Sequence, residues 1–378
     1  CVLMPATLPS EPDRRQGGPP SPPPDAFVRE TGARPPPHRF RAGNGNRRAA
    51  VVVPPRATPR DAPSVSAPGR TLGGMQRIVP NIWCDGTADA AAEFYLRAFA
   101  GLPGTANVRT DRYPTEGLLD FQRPLAGKTL TQELDLAGHR FILVNAGDEF
   151  APNPSISFFV NADPSRMDDP RGTLDALWAE LTDGGRVLMD LGPYPHSEHY
   201  GWVEDRHGVS WQLMLTDPAG DPRPVIIPQL MFCGPAQNRA AEALDHYLAV
   251  FDDATPGQRV TYGDMGHVPE GGPVEAGSIV FADARLRGEW VAAMDSAVAQ
   301  DFTFTEGVSL MVQCRDQAEI DRLWEALSAV PEAEQCGWLK DRWGVSWRIV
   351  PEAMGELMER PGAFEALLGM KKLVIADF

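Results

Sequence analysis

The 378-residue chain contains a long internal repeat, so its fold must be one that can be built twice from a single plan. Residues 201–213 (GWVEDRHGVSWQL) align with residues 337–349 (GWLKDRWGVSWRI), and eight of the thirteen positions are identical. Upstream, residues 174–181 parallel 320–327, each with a Trp at the same place, and residues 156–160 parallel 308–312. Earlier still, Pro80-Asn81-Ile82-Trp83-Cys84 corresponds to residues 228–233, and Gly138-His139-Arg140-Phe141 to residues 288–291. Because the matches keep their order, the body of the chain is a tandem duplication of units about 150 residues long. The Pro- and Gly-rich stretch at 216–224 reads as the connector. The expected division is a tail at 1–75, a first copy at 76–217, a linker at 218–227 and a second copy at 228–378.

The tail differs from the rest in composition. It holds eleven Arg, no Lys and five acidic residues, whereas the whole chain carries a net charge of −16, so the remaining residues carry about −22. With 16 of the 37 prolines and only Phe27 and Phe40 as aromatics, it has too little apolar surface to offset the entropy of ordering it, and disorder is expected. Its arginines suit a basic arm or a targeting peptide, but the prolines break an amphipathic helix and no aromatic residues interleave them. A translation start at Met75 is the plainer expectation. The acidic body would repel phosphates, which argues against nucleic acid as a partner. No run of roughly 18 apolar residues is present to cross a bilayer. Five cysteines with no C-x-x-C pair fit reduced thiols, so the expected location is cytoplasmic, with no membrane partner.

Within each copy the hydrophobic pattern alternates between strand and helix periods, which predicts an α+β fold. Residues 78–84 read as a strand, Asp85-Gly86 as a turn, and 88–99 as a helix presenting Ala91, Phe94, Tyr95, Ala98 and Phe99 to a sheet. Residues 130–136 and 140–145 form a hairpin through Ala137-Gly138. A strand at 156–161 precedes a helix at 173–183 with Leu174, Leu177, Trp178 and Leu181 on one stripe, stopped by Gly184-Gly185. The last hairpin turns at Asp205-Arg206-His207-Gly208, after which Val209, Trp211, Leu213 and Leu215 alternate with Ser210, Gln212 and Met214.

These residues resemble the vicinal oxygen chelate superfamily, the fold of glyoxalase and bleomycin-resistance proteins, and within it the PhnB-like branch. The resemblance spans residues 76–378. Its carriers in the first copy are Pro80-Asn81-Ile82-Trp83 before Asp85-Gly86, Glu93-Phe94-Tyr95, residues 153–160, Tyr200-Gly201-Trp202 and residues 208–212. In the second copy they are residues 335–341, 344–347 and 370–373. The resemblance implies tandem glyoxalase-like domains, each of two βαβββ modules forming a curled mixed sheet around a cleft that takes a small molecule. It also implies a pseudo-dimer within one chain, with a homodimer as the other assembly.

Metal-using members of that superfamily hold a divalent ion in the cleft with His and Glu side chains, and the ion polarises substrate oxygens. The matching positions fall near Pro80, Ser155 and Gln212 in the first copy, where Glu133 is the one plausible carboxylate. In the second copy they fall at Pro228, Gly307 and Arg348, with Asp283 matching Glu133. Pro and Gly side chains cannot ligate and Arg348 repels a cation, so the expectation is a cleft without the usual metal and with no cofactor. The candidate cleft residues are Trp83, Glu133, Asn145, Ser155, His199, Trp202, Ser210, Gln212, Trp338 and Arg348, with the first copy expected to hold the ligand. The alternative is a divalent metal ion held by Glu133 with His196 and His199, which are spaced i, i+3.

Plainer roles fall to other residues. Trp178, Trp211, Trp324 and Trp347 suit core packing, His207 a turn, His246 a helix surface, and His139 an exposed site after a hairpin turn. Cys84 and Cys233 read as inert strand thiols, leaving Cys336 as the thiol to test. No strand leads into a Gly-rich turn of the kind that cradles a nucleotide or S-adenosylmethionine, and the G-x-x-x-x-G-K and G-x-S-x-G motifs are absent. Two function classes remain. One is metal-independent binding of a small oxygenated or aromatic molecule, and the other is a metal-dependent isomerase, lyase or dioxygenase of the superfamily.

Overall fold

The computed structural model describes residues 76–378 apart from Asp221, so the disorder expected of the tail lies outside the described residues. Four modules follow one another. The first comprises β1 (Ile78–Cys84), α1 (Ala88–Ala98), β2 (Ala106–Arg112), β3 (Thr129–Leu136) and β4 (His139–Asn145). The second comprises β5 (Ile156–Ala162), α2 (Pro170–Thr182), β6 (Arg186–Tyr194), β7 (Ser197–Glu204) and β8 (Ser210–Leu215). The third comprises β9 (Ile226–Phe232), α3 (Ala240–Val250), β10 (Thr255–Thr261), β11 (Ile279–Leu286) and β12 (Glu289–Asp295). The fourth is shorter: β13 (Val308–Cys314), α4 (Gln317–Leu327), β14 (Trp338–Lys340) and β15 (Ser346–Pro351), followed by α5 (Met354–Met358) and α6 (Ala363–Gly369).

The α+β class and the paired modules are present as expected, but each module finds its sheet partner in the other copy. The first sheet has seven strands in the order β14-β15-β13-β1-β4-β3-β2, joining modules one and four. The second has eight, β10-β11-β12-β9-β5-β8-β7-β6, joining modules two and three. The seams are antiparallel: Asn81 lies opposite Ser309 where β1 meets β13, and Ser157 opposite Gln229 where β5 meets β9. Every residue of β1, β5 and β9 is buried. Strands apolar on both faces must be interior to a sheet, so each has to recruit a neighbour on its open edge.

The repeated motif has a local cause. In the first copy the buried Asp205 carboxylate accepts from the backbone N–H of His207 (2.8 Å) and Val209 (3.1 Å) and from Trp211 Nε1 (2.8 Å). Asp341 does the same for Trp343 (2.9 Å), Val345 (3.0 Å) and Trp347 Nε1 (3.0 Å). Each Asp therefore ties a tight turn to the Trp two residues into the next strand, which accounts for the D-x-x-G-V-S-W repeat. Burial pushes the Asp205 carboxyl up to about 6. The core between the sheets is continuous: Phe141 of β4 meets Phe158 of β5 at 4.9 Å, and Trp211 of β8 packs on Phe99 at 5.0 Å.

Two histidines differ from expectation. His139 is buried against Phe141 rather than exposed, and burial pushes its pKa down to about 4. His246 is partly covered, with its ring edge-on to Trp343 and Nε2 3.1 Å from the Ala326 carbonyl. No helix among the described residues is long and apolar enough to cross a membrane.

Candidate ligand cleft

Strand alternation divides the first sheet into two faces. Ile78 and Ile82 of β1 enter the main core, whereas Val79 turns the other way and clusters with Met311 and Trp338. On that outer face the register sets Asn81, Ser309 and Ser346 in one row across β1, β13 and β15. The next row is Val79, Met311, Arg348 and Trp338.

Over this face lies a cavity of 370 Å³, within the range that small-molecule sites occupy. Met311, Val350, Ile142 and Val144 form part of its floor, and Met354, Met358, Phe364 and Leu367 of the two C-terminal helices close over it. Polar side chains enter from β2, β3, β13 and β15: Arg109, Glu133, Gln313 and Arg348. Glu133 is ion-paired with Arg140, which also holds Asp135, and Arg109 pairs with Asp111 at 2.7 Å. Arg348 has no such partner among the described residues; its guanidinium lies over the Trp338 ring at 4.0 Å. Its Nε is shut off from solvent with no acceptor, and burial pushes its pKa down to about 10. Nearby, both amide atoms of Asn81, the Gln313 Oε1 and the Ser346 hydroxyl are also buried without hydrogen-bond partners.

The equivalent face of the second sheet is closed by its own hydrogen bonds. Gln212 Nε2 donates to Ser157 (2.9 Å) and to Gln229 Oε1 (2.6 Å), and its Oε1 accepts from Tyr200 OH (2.5 Å). Trp202 Nε1 donates to Ser210 at 2.7 Å. The counterparts on the first sheet are Arg348 for Gln212, Asn81 for Gln229 and Ser309 for Ser157. The two faces thus share a plan but not a chemistry.

The fold separates the residues singled out from sequence. Glu133 and Arg348 both line the first-sheet cavity although they come from different copies, and Trp338 packs against Arg348. Trp83 lies on the same sheet but off the cavity lining, its Nε1 donating to the Gly147 carbonyl at 2.8 Å. Trp202, Ser210 and Gln212 belong to the second sheet. Ser155 sits buried just before β5, where its carbonyl accepts from Met231 N–H at 2.7 Å across the seam. Asn145 caps α1 instead of facing a cleft: its Oδ1 accepts from Ala88 N–H and its Nδ2 donates to the Thr129 carbonyl, both at 2.9 Å. His199 turns toward α2, with Nε2 2.6 Å from Asp175 and Nδ1 3.3 Å from Arg171. The sequence reading missed Asn81, Gln313 and the roof formed by α5 and α6. The Met354 and Met358 pair with Phe364 and Leu367, at helical spacing near the C-terminus, was the available signal.

A divalent metal does not fit this donor set. The alternative ligands Glu133, His196 and His199 lie on different sheets, and His196 packs edge-on to Tyr200 at 4.6 Å. Among the described residues no three His, Cys, Asp or Glu side chains gather into a metal-holding group. On the first-sheet face, Glu133 is engaged by Arg140, and the residue opposite it on β2 is the cation Arg109. Pro80 lies one residue out of phase with the cleft-facing Val79 and Asn81. Cys336, expected as the thiol to test, is instead fully buried and disulfide-bonded, and burial pushes the Cys84 and Cys233 thiols up to about 12.

A duplicated βαβββ fold with its cleft on the outer face of a shared sheet defines a glyoxalase-like protein of the vicinal oxygen chelate class. The family model described as 3-demethylubiquinone-9 3-methyltransferase matches residues 76–214 and again 224–350, and the chain belongs to this PhnB-like family. Among solved structures, it is 26% identical to the PhnB protein of Bacillus cereus over 37% of this chain and 100% of that one, with a TM-score of 0.31. A Pseudomonas aeruginosa protein is 20% identical over 37% of this chain and 98% of its own, with a TM-score of 0.30. Glyoxalase I of Zea mays is 13% identical over 72% of this chain and 91% of its own, with a TM-score of 0.45. No curated protein matches the chain.

Proposed function

We propose that the protein binds a small oxygenated or aromatic molecule in the first-sheet cavity, without the divalent metal that metal-using relatives of this fold employ. The observation that carries this reading is the cavity itself: 370 Å³, with an apolar floor and roof and a few inward-facing polar groups. The methyltransferase description of the family is not extended to this chain. Its β1 passes through Asp85-Gly86 straight into α1, with no Gly-rich turn to cradle a nucleotide-like cofactor. The separation of Glu133 from His196 and His199 weighs against the metal-dependent alternative.

The test is a thermal-shift series on protein purified without chelator or affinity histidines, alongside its metal content. Substituted benzoates, phenols and benzamides should raise the melting temperature of the native protein, an effect that Leu367→Trp, which fills the cavity, removes. Mn, Ni and Zn should leave it unchanged. Stoichiometric metal, or an ion-induced rise lost in Glu133→Ala, would instead establish the metal-dependent reading.

A further inference from the structure

We infer that the first-sheet cavity takes a small organic anion, a carboxylate on an apolar body, and that Arg348 anchors its charge. This rests on the cleft-binding reading above and names the ligand class. Arg348 stands at the strand position where the resemblance to metal-using relatives implies a metal ligand, so the positive charge at the cleft floor is a fixed side chain. Arg348 lines the cavity with no anionic partner among the described residues; its Nε is shut off from solvent, and its two Nη groups, which are not, are left to meet an acceptor in the cavity. The planar fork is suited to holding a carboxylate through two donors. Trp338 covers the guanidinium, its ring centroid 4.0 Å from Cζ, while Arg348 itself lines the cavity.

Apart from Arg112, the remaining charges of the cavity have oppositely charged neighbours. Arg109 pairs with Asp111 and Glu133 with Arg140, while Glu359 on the roof lies close enough to Arg109 to act on its charge. Arg112, at the rim, donates to the Gly127 carbonyl at 3.2 Å. Arg348 is thus the unmatched charge on the floor. Around it, Met311, Met354 and Met358 offer flexible, polarisable surface that adapts to an apolar body without dictating its outline. On the second sheet the same repeat position holds Gln212, whose hydrogen bonds are all made within the protein, so the anion site belongs to one face alone.

The test compares 4-phenylbutyrate with its neutral isostere 4-phenylbutyramide by calorimetry and ligand-observed NMR on the full chain. The native protein should bind the carboxylate about tenfold or more tightly than the amide, the value of a charge-assisted hydrogen bond. Arg348→Gln should erase that preference, and Arg348→Lys, which keeps the charge but not the fork, should retain part of it. Equal binding of both probes to the native protein would overturn the anion inference and leave the cleft reading standing. Failure of both at millimolar concentration, or binding unchanged in Leu367→Trp, would overturn both. The native comparison decides the matter even if a variant at 348 folds poorly.

Discussion

Two substitutions at one repeat position should have opposite effects on stability. Gln212 and Arg348 are twelfth in their thirteen-residue repeats, and both face outward from a sheet. Gln212→Leu would orphan three buried groups, the Ser157 hydroxyl, Gln229 Oε1 and Tyr200 OH, now held at 2.9, 2.6 and 2.5 Å. At about 1–3 kcal/mol for each of the three buried groups left unsatisfied, less about 1 kcal/mol regained by burying leucine, the cost is about 2–8 kcal/mol. Arg348→Leu breaks no hydrogen bond and removes a cation whose pKa burial has pushed down to about 10. That shift amounts to about 3 kcal/mol before discounting for partial solvent access, set against up to about 2 kcal/mol of lost stacking on Trp338. The variant should be neutral or more stable by about 1 kcal/mol. Urea unfolding at neutral pH reads both, and in thermal unfolding Gln212→Leu should lower Tm by about 3–13 °C. If Gln212→Leu costs under about 1 kcal/mol, its partners are solvated and the second face is an open cleft. If Arg348→Leu is as damaging as Gln212→Leu, the arginine is a structural residue and the reasoning from its unpartnered nitrogen fails.

Two further outcomes follow from the interleaved sheets and the buried charges. Cleavage at a protease site placed in the connector at 218–220 should leave the halves co-eluting on size exclusion, because β1 with β13 and β5 with β9 each pair over five residues across the copies; separation without denaturant would contradict the strand order. Arg287→Ala should cost about 3 kcal/mol at neutral pH, because it strips a partner from Glu319 in a fully buried ion pair. Burial pushes the Glu319 carboxyl up, but hydrogen bonds from Arg315 and the charge of Arg287 hold it below the usual range. Its contribution is therefore present above the unfolded value of about 4.3 and lost as pH falls through the lower folded value, so the gap between variant and native should narrow in acid. A gap that is flat or widens toward low pH would contradict that role.

Local pattern made much of the fold legible. The strand at 78–84, the helix starting at Ala88 and the hairpin through Ala137-Gly138 follow from alternation, from a 3.6-residue stripe, and from residues able to take positive φ, here 50° and 78°. The Asp-to-Trp spacing of the repeat was readable for the same reason, since both ends of that contact lie within seven residues. Which module pairs with which was not legible. β1, β5, β9 and β13 are similarly apolar, and nothing local records whether β1 closes on β5 or on β13. That single ambiguity scattered the candidate site, joining Glu133 to Gln212 in thought while the chain joins it to Arg348. Asn145 and His199 misled for a different reason: a polar residue on a strand looks the same whether it caps a helix, meets a carboxylate or faces a ligand, and only the third dimension separates these.

The crossing of modules between copies bears on how such a protein can diverge. In an assembly of two identical single-copy chains, any change on one outer sheet face appears at the symmetric position on the other, so a desolvated arginine would be incurred twice. Here residues 76–145 and 308–351 build one face, and 156–215 with 226–295 build the other, all encoded separately in one polypeptide. Each face can drift on its own: one has settled into a self-satisfied amide and hydroxyl cluster that braces the molecule, and the other keeps its loose polar ends and Arg348. Duplication followed by joining has made what amounts to an obligate heterodimer with a fixed one-to-one ratio, in which one half of the pair is free to specialise while the other secures the fold.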